Sequence, residues 1–390
     1  MRIGIDVRLI NPPSPGQQRY LWRLGAWLGD RGHEIHLLNV RHDDPRSGPD
    51  PQGYGSGDCL HVHRLHALSR TDLRAHVTAL ELDVLLLNPE RSRRYRGLRP
   101  NLLRSAYGTD HYAQRLRSFR HPVAHSVQRL ARETPWSRAE QRWERAFYGD
   151  GVHRPRVIAQ SEYMREQIVS SYPVPEEDVH VIPNGVDLSE FSSESRLERR
   201  ERARARWGIP ADAPCLVLMA HNFRLKGLPR LVQALRQPTG TDRPWLLVAG
   251  SGTGRRQRRN ARRWVHGAGL EDRIVFAGSV ASPIDAYAAA DVLVHPSWHD
   301  SFGFAVLEAM ACGLPVVTTP WVGASELIES GSEELIVDPG NTIDLARAIR
   351  SALGPDGKRW GRAAAATAKR YGERDNFTAV EGVMRLAADR

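Results

Sequence analysis

The first 38 residues alternate in a way that few architectures accept. A short apolar strand, Arg2 to Val7, runs into a Pro/Gly loop from Leu9 to Gln18. An amphipathic helix follows from Tyr20 to Gly29, carrying Tyr20, Leu21, Leu24 and Leu28, and a second strand covers Glu34 to Leu38. Such a strand–helix–strand opening predicts a doubly wound parallel sheet of the α/β class, with its ligand edge at the carboxyl ends of the strands. Further strands are expected at Val84 to Leu87, around Leu102 to Ala106, at Arg156 to Ala159 and at Val179 to Ile182. A second strand set begins at Pro214 to Ala220 and continues through Trp245 to Gly250, Arg273 to Phe276 and Val292 to His295. Between the two sets lies a stretch dense in glutamate and arginine, Glu190 to Arg206, which reads as a separator, and a last helix is expected over Asn376 to Asp389. At 390 residues the chain exceeds what one core usually serves, and its 41% hydrophobic content suffices for two.

The most informative chemistry is in Asp300-Ser-Phe-Gly-Phe-Ala-Val-Leu-Glu308. Ser301, Phe302 and Gly303 form a turn before a helical run from Phe304 to Cys312, so several backbone N–H groups there lack intrahelical partners and attract anions. Glu308 falls about one turn down that helix while Asp300 stays in the loop above it, so two carboxylates bracket an anion site. A nucleoside diphosphate sugar has this shape, with a pyrophosphate between two sets of hydroxyls that carboxylates accept from. The plainer alternative makes Asp300 an N-cap and Glu308 a solvated helix residue. The helix ends at Gly313 and an apolar strand, Pro315 to Thr318, follows at once, which is again an α/β signature.

A second phosphate signal is Met219-Ala-His-Asn-Phe-Arg-Leu-Lys-Gly227, where a strand runs into a loop holding Arg224 and Lys226. Two cations at a strand's carboxyl end suit a diphosphate, although a lysine in a surface loop is ordinary. Lys226, Lys358 and Lys369 are the only lysines among fifty-five cationic residues, which sets Lys226 apart. The glycines of Gly250-Ser-Gly-Thr-Gly254 follow a strand but do not complete a dinucleotide fingerprint, and the arginine-rich helix after them, Arg255 to Trp264, reads as a solvated face. In Tyr107-Gly-Thr-Asp-His111, Asp110 and His111 are candidate polar groups near a sugar, with an N-cap as the other reading of Asp110. From His111 to Arg156, arginines are interleaved with apolar and aromatic residues in the pattern of basic amphipathic helices. These either hold their arginines in water or dock on anionic membrane headgroups or a phosphorylated glycolipid.

The net charge of +10 implies attraction to acidic partners such as nucleotide sugars, phosphorylated acceptors, anionic lipid or nucleic acid. A nucleic-acid binder would explain the charge but not the carboxylate-flanked turn. Cys59, Cys215 and Cys312 show no metal-type spacing and argue for a reducing compartment. The opening residues read as a strand rather than a signal or a membrane span, so a cytoplasmic protein is expected.

Taken whole, residues 291–330 resemble the donor-binding stretch of the retaining family-4 glycosyltransferases, the group that includes glycogen synthase and lipopolysaccharide glucosyltransferases. Their E-x-F-G-x-x-x-x-E pattern appears here with Asp300 in the first position. The resemblance covers most of the chain and weakens between about 41 and 155. It implies a GT-B fold: an acceptor-side Rossmann-like domain over 1–188, a donor-binding one over 189–372, a cleft between them, and a helix at 373–390 crossing back to the first domain. It implies that Lys226 and Arg224 neutralise the donor diphosphate, with the amides of Ser301, Phe302, Gly303 and Phe304 holding it. Asp300 would then bind hexose hydroxyls and Glu308 the ribose, while the nucleobase rests near Gly278-Ser-Val280. Gly16 would approach donor phosphate and acceptor, and Asp110 and His111 would face the sugar. The implied reaction moves a hexose from a UDP- or GDP-linked donor to a hydroxyl acceptor with retention, without metal or cofactor, in the cytoplasm or peripherally at the inner membrane face through 111–156. A sugar-nucleotide epimerase of the same fold, or a noncatalytic nucleotide-sugar binding module, are the alternatives.

Overall fold

The computed structural model describes residues 1–7, 16–39, 59–65, 67–88, 95, 97–104, 145–149, 153–237, 243–252, 254–328 and 331–389. They form two compact units, residues 1–183 with 374–390, and residues 184–373.

The first unit is built on β1 (Arg2–Asp6), β2 (Glu34–Asn39), β3 (Leu60–Arg64), β4 (Val84–Leu87), β5 (Leu102–Arg104), β6 (Arg156–Ala159) and β7 (Val179–Val181). All pair in parallel, in the order β3-β2-β1-β4-β5-β6-β7. Strands buried on both faces must be apolar throughout, which is why β4 is Val-Leu-Leu-Leu and wholly buried. The first helix runs Gly16–Asp30, so Gly16 is its first residue rather than part of a loop ending at Gln18. The edge strand β3 departs from expectation: its sequence, Leu-His-Val-His-Arg, is half exposed and offers no apolar run to recognise. The terminal helix, Glu373–Ala388, packs here through its inward face. The Tyr20 hydroxyl donates to Asn376 at 2.8 Å, and buried Glu381 receives Arg31 at 2.8 Å, His33 at 3.0 Å and Arg385. Burial pushes the Glu381 carboxyl up, but these three partners outweigh it and bring the group down to about 2.

The second unit carries β8 (Cys215–Met219), β9 (Trp245–Ala249), β10 (Ile274–Gly278), β11 (Val292–Val294) and β12 (Val316–Val317), all parallel, in the order β10-β9-β8-β11-β12. Alternate residues of each strand feed opposite cores. Val217, Leu247 and Leu293 join a cluster with Tyr287, Phe302 and Met310, while Leu216, Leu246, Val292 and Val294 join one with Leu231, Ala261 and Leu345. Helices therefore cover both faces, and the sheet is doubly wound. The charged stretch between the two strand sets forms a helix of this unit, Ser193–Arg206, capped by Ser192. Arg202 and Arg206 are exposed, whereas the buried Arg204 donates to the carbonyls of Ala289, Pro210, Ala211 and Ala213 and to Asp291. The chain winds outward from β8 to β10, then returns past β8 to β11. This reversal opens a crevice at the carboxyl ends of β8 and β11, the place where parallel sheets bind ligands.

Candidate functional site

The loops leaving β8 and β11 meet at that reversal, and backbone contacts hold them together. Trp298 N–H donates to the Leu225 carbonyl at 3.0 Å, and the Ser297 hydroxyl reaches the same oxygen at 3.3 Å. Gly227 has φ +78° and lies so close to the other loop that a Cβ there would sit 2.0 Å from the Pro296 carbonyl oxygen. The β8 loop is also braced from behind. Asn222 Oδ1 accepts from Leu225 N–H at 3.2 Å and from the Gln257 amide at 2.9 Å, and Gln257 accepts from Phe223 N–H at 3.2 Å.

This scaffold brings Lys226 onto Asp300, 74 residues later in the chain. The ammonium bonds Asp300 Oδ2, with both side chains about four-fifths buried. His295, at the end of β11 and 1% exposed, places Nε2 3.2 Å from the same oxygen. Burial raises the Asp300 carboxyl, but Lys226 and His295 outweigh it and hold the group well below the usual carboxylate range. Burial lowers the pKa of His295, with Asp300 offsetting only part of the effect, so the imidazole is neutral at pH 7 and donates Nε2–H to the carboxylate. Asp300 is fixed through its backbone too: its N–H donates to the Trp321 carbonyl at 2.9 Å and its carbonyl accepts from Gly323 at 3.1 Å.

The turn after Asp300 has the expected form. Gly303, at φ +93°, caps the helix Phe304–Ala311 without any side-chain cap, and a Cβ there would meet Val322 at 2.7 Å. The Phe302 carbonyl is tied to Ala324 N–H at 2.7 Å. The backbone N–H groups of Phe302 and Gly303 make no hydrogen bond to the described residues, and the helix dipole points the same way, so the turn is suited to an anion. Glu308 is not a solvated helix residue. It is buried, and the hydroxyl of the fully buried Tyr287 donates to its Oε2 at 2.7 Å.

Of the residues expected from sequence, the fold brings Lys226 onto Asp300 and sets the Ser301–Phe304 turn at the same sheet edge, with Glu308 buried one turn down the helix that follows. Val280 lies in the loop after β10, half buried against the same core as Phe302. Arg224 is exposed and makes no side-chain contact with Lys226 or Asp300. Gly16 belongs to the first unit, while Asp110, His111 and the segment 111–144 lie outside the described residues. His295 and Tyr287 were missed. The one signal for His295 was a histidine closing an apolar strand five residues before Asp300. The glycine run after β9 has a packing cause: Cβ atoms on Gly250 and Gly252 would fall 2.1 Å from the Ala220 carbonyl oxygen and 2.6 Å from the Phe223 ring.

Two family models match the chain, Glycosyltransferase Family 4 over residues 15–190 and Glycosyl transferases group 1 over residues 214–354. Among curated relatives, a D-inositol 3-phosphate glycosyltransferase of Xylanimonas cellulosilytica is 32% identical over 60% of this chain and 57% of its own. One from Arthrobacter sp. is 34% identical over 56% of this chain and 52% of its own. The chain thus matches just over half the length of these relatives. Of the solved structures, sucrose-phosphate synthase from Thermosynechococcus elongatus superposes with a TM-score of 0.77 at 20% identity, covering 99% of this chain and 98% of the other. Anabaena HepE in complex with UDP-glucose gives 0.77 at 19% identity, covering 99% and 100%. The fold is that of the GT-B glycosyltransferases.

Proposed function

We propose that this chain, which belongs to the family 4 and group 1 glycosyltransferases by its two successive domains, moves a hexose from a nucleoside diphosphate to a hydroxyl acceptor with retention of configuration. The observation that carries this reading is the convergence of Lys226, Asp300 and the uncapped Gly303 turn at the carboxyl edge of one parallel sheet. The donor is UDP- or GDP-linked; UDP-glucose is the ligand of the similar Anabaena protein. The acceptor is a phosphorylated polyol or glycolipid, in keeping with the inositol 3-phosphate named for the relatives.

In the reaction, the bond from the anomeric carbon to the diphosphate oxygen breaks and its electron pair leaves with the diphosphate. The acceptor oxygen bonds that carbon on the same face, and its proton passes to a donor phosphate oxygen. Lys226 and the amides of Phe302 and Gly303 stabilise the charge growing on the leaving group, the electrostatic role that usually contributes most, and they supply it without a metal. Arg224 extends this positive edge. Asp300 accepts from hexose hydroxyls and Glu308 from the ribose, with Val280 beside the base. The basic segment 111–156 holds the enzyme at an anionic membrane face.

The test is to incubate the protein with a panel of nucleotide sugars, with and without phosphorylated polyols and glycolipids, and to measure released nucleoside diphosphate. Acceptor-dependent release supports the transferase. An altered sugar on an intact nucleotide would make it an epimerase, and binding without turnover a binding module.

A further inference from the structure

Asp300 uses its two oxygens unequally. Lys226 and His295 both converge on Oδ2, while Oδ1 has no hydrogen-bond partner among the described residues. The second nitrogen of His295, Nδ1, is buried without a partner among the described residues, so within them this ring makes a single polar side-chain contact, and that contact is Asp300. Its backbone is fixed on both sides, by N–H to the Val317 carbonyl at 2.7 Å and by the Thr318 hydroxyl to its own carbonyl at 3.3 Å. A polar ring held rigidly in a core where an aliphatic side chain would pack as well needs a reason.

We propose that His295 is a positioning residue: it pins Asp300 through Oδ2 so that Oδ1 faces the donor sugar, and keeps it there when the donor diphosphate draws Lys226 away. This rests on the donor reading above and adds to it the group that sets the carboxylate's orientation. The logic is one of competing partners. Lys226 has a flexible stem and three N–H donors, so an arriving diphosphate pulls it from Asp300. Without a second holder, the carboxylate would follow the ammonium or turn to water. The imidazole has no such freedom and is not a phosphate ligand in this placement, since its Nε2–H is already committed. The arrangement also accounts for an aspartate in the position where the family pattern carries glutamate. A carboxylate one methylene shorter has one fewer torsion to hold, so a ring donor fixed on Oδ2 suffices to orient Oδ1.

The experiment separates sugar recognition from nucleotide binding. Calorimetric titrations of the full chain with UDP and GDP, and with UDP-glucose and GDP-mannose, are compared for wild type, His295→Ala and His295→Gln. Gln keeps an N–H donor near the Nε2 position. The expected result is that wild type binds one of the sugar nucleotides, that His295→Ala weakens that affinity about tenfold or more while leaving the matching nucleoside diphosphate within about twofold, and that Gln restores most of the loss. Equal weakening of the diphosphate and the sugar nucleotide, or no recovery with Gln, would overturn the positioning role. If His295→Ala unfolds, the Gln variant decides alone: a sugar-nucleotide affinity near wild type supports the proposal, and one that falls together with diphosphate affinity sinks it. If wild type binds none of the four compounds, the donor reading itself fails, and with it this role.

Discussion

Replacing Lys226 with methionine separates two roles of the Lys226–Asp300 pair. The substitution keeps the stem and removes the charge, leaving a carboxylate about four-fifths buried with His295 as its one side-chain donor among the described residues. Breaking a fully buried pair costs about 3–5 kcal/mol, and an exposed one at most about 1 kcal/mol, so a loss of about 2–3 kcal/mol is expected here. For a unit of residues 184–373, at about 2–4 °C per kcal/mol, this lowers its melting transition by about 4–12 °C. The depressed Asp300 carboxyl fixes the sign with pH: the stabilisation is present above the unfolded value near 4 and is lost as pH falls through the folded one. Adding Asp300→Asn to Lys226→Met removes the stranded charge, so the double variant recovers most of the stability. On the proposed donor reading turnover behaves differently, because both variants lack the cation assigned to the leaving diphosphate, and it falls by about a hundredfold or more in each. Calorimetry and nucleoside diphosphate release on the same samples check both. Wild-type turnover in Lys226→Met would reduce the pair to a structural contact, and a double variant as unstable as the sum of the single ones would show that the two groups are not coupled.

Three further outcomes follow from the geometry. Gly227→Ala combines a left-handed backbone with a Cβ 2.0 Å from a carbonyl oxygen, and should destabilise by about 2–5 kcal/mol, whereas Gly208→Ala, at φ +66° with open space around it, costs about 1–2 kcal/mol; paired melting curves compare them. Glu308→Gln keeps the shape that Tyr287 packs against but gives up the charge, so turnover should drop at least tenfold with a melting change of less than about 1 kcal/mol, and Tyr287→Phe should raise the donor KM more than it lowers kcat. Glu381, at about 2 when folded against 4.5 for the ordinary group, contributes stability that is full above pH 4.5 and lost as pH falls toward 2. Glu381→Gln should therefore flatten the acid limb of an equilibrium unfolding series between those values.

The fold was legible wherever burial left one solution. Strands covered on both faces must be apolar along their length, so Val84–Leu87 and Arg156–Ala159 were bounded correctly from sequence. Strand β3 was not, because an edge strand bearing His61 and His63 carries no such run. Within Glu190–Arg206 nothing in the sequence singles out Arg204, which lies in the core because five oxygens there accept from its guanidinium. At the site, the turn from Asp300 to Glu308 is local chemistry and was visible, and Lys226 stood out by rarity. Their meeting was not visible, because it depends on β8 and β11 being neighbours, and strand order is a property of the whole sheet. His295 and Tyr287 were hidden for the same reason, since each acts on a carboxylate that only tertiary packing brings near.

The two sheets share one winding, strand order 3-2-1-4-5 counted within each, and carry different chemistry at the same topological position. In the first unit β1 ends at Asp6, whose buried carboxylate accepts from the Tyr95 hydroxyl at 2.8 Å. In the second, the corresponding strand leads to a loop bearing Lys226. Topology selects where a ligand is met, and a few loop residues select what is met there. On the donor reading, this has a consequence for affinity. The cation that greets the diphosphate is already engaged with Asp300, so binding exchanges one ion pair for another and yields the difference between them, not the whole of the second. A nucleoside diphosphate alone must break the Asp300 contact and leaves Oδ1 to water. A sugar nucleotide breaks the same contact and returns a hydroxyl to Oδ1. Discrimination in favour of the intact donor over the spent one is thus built into the pair, and it is strongest where His295 holds the carboxylate still.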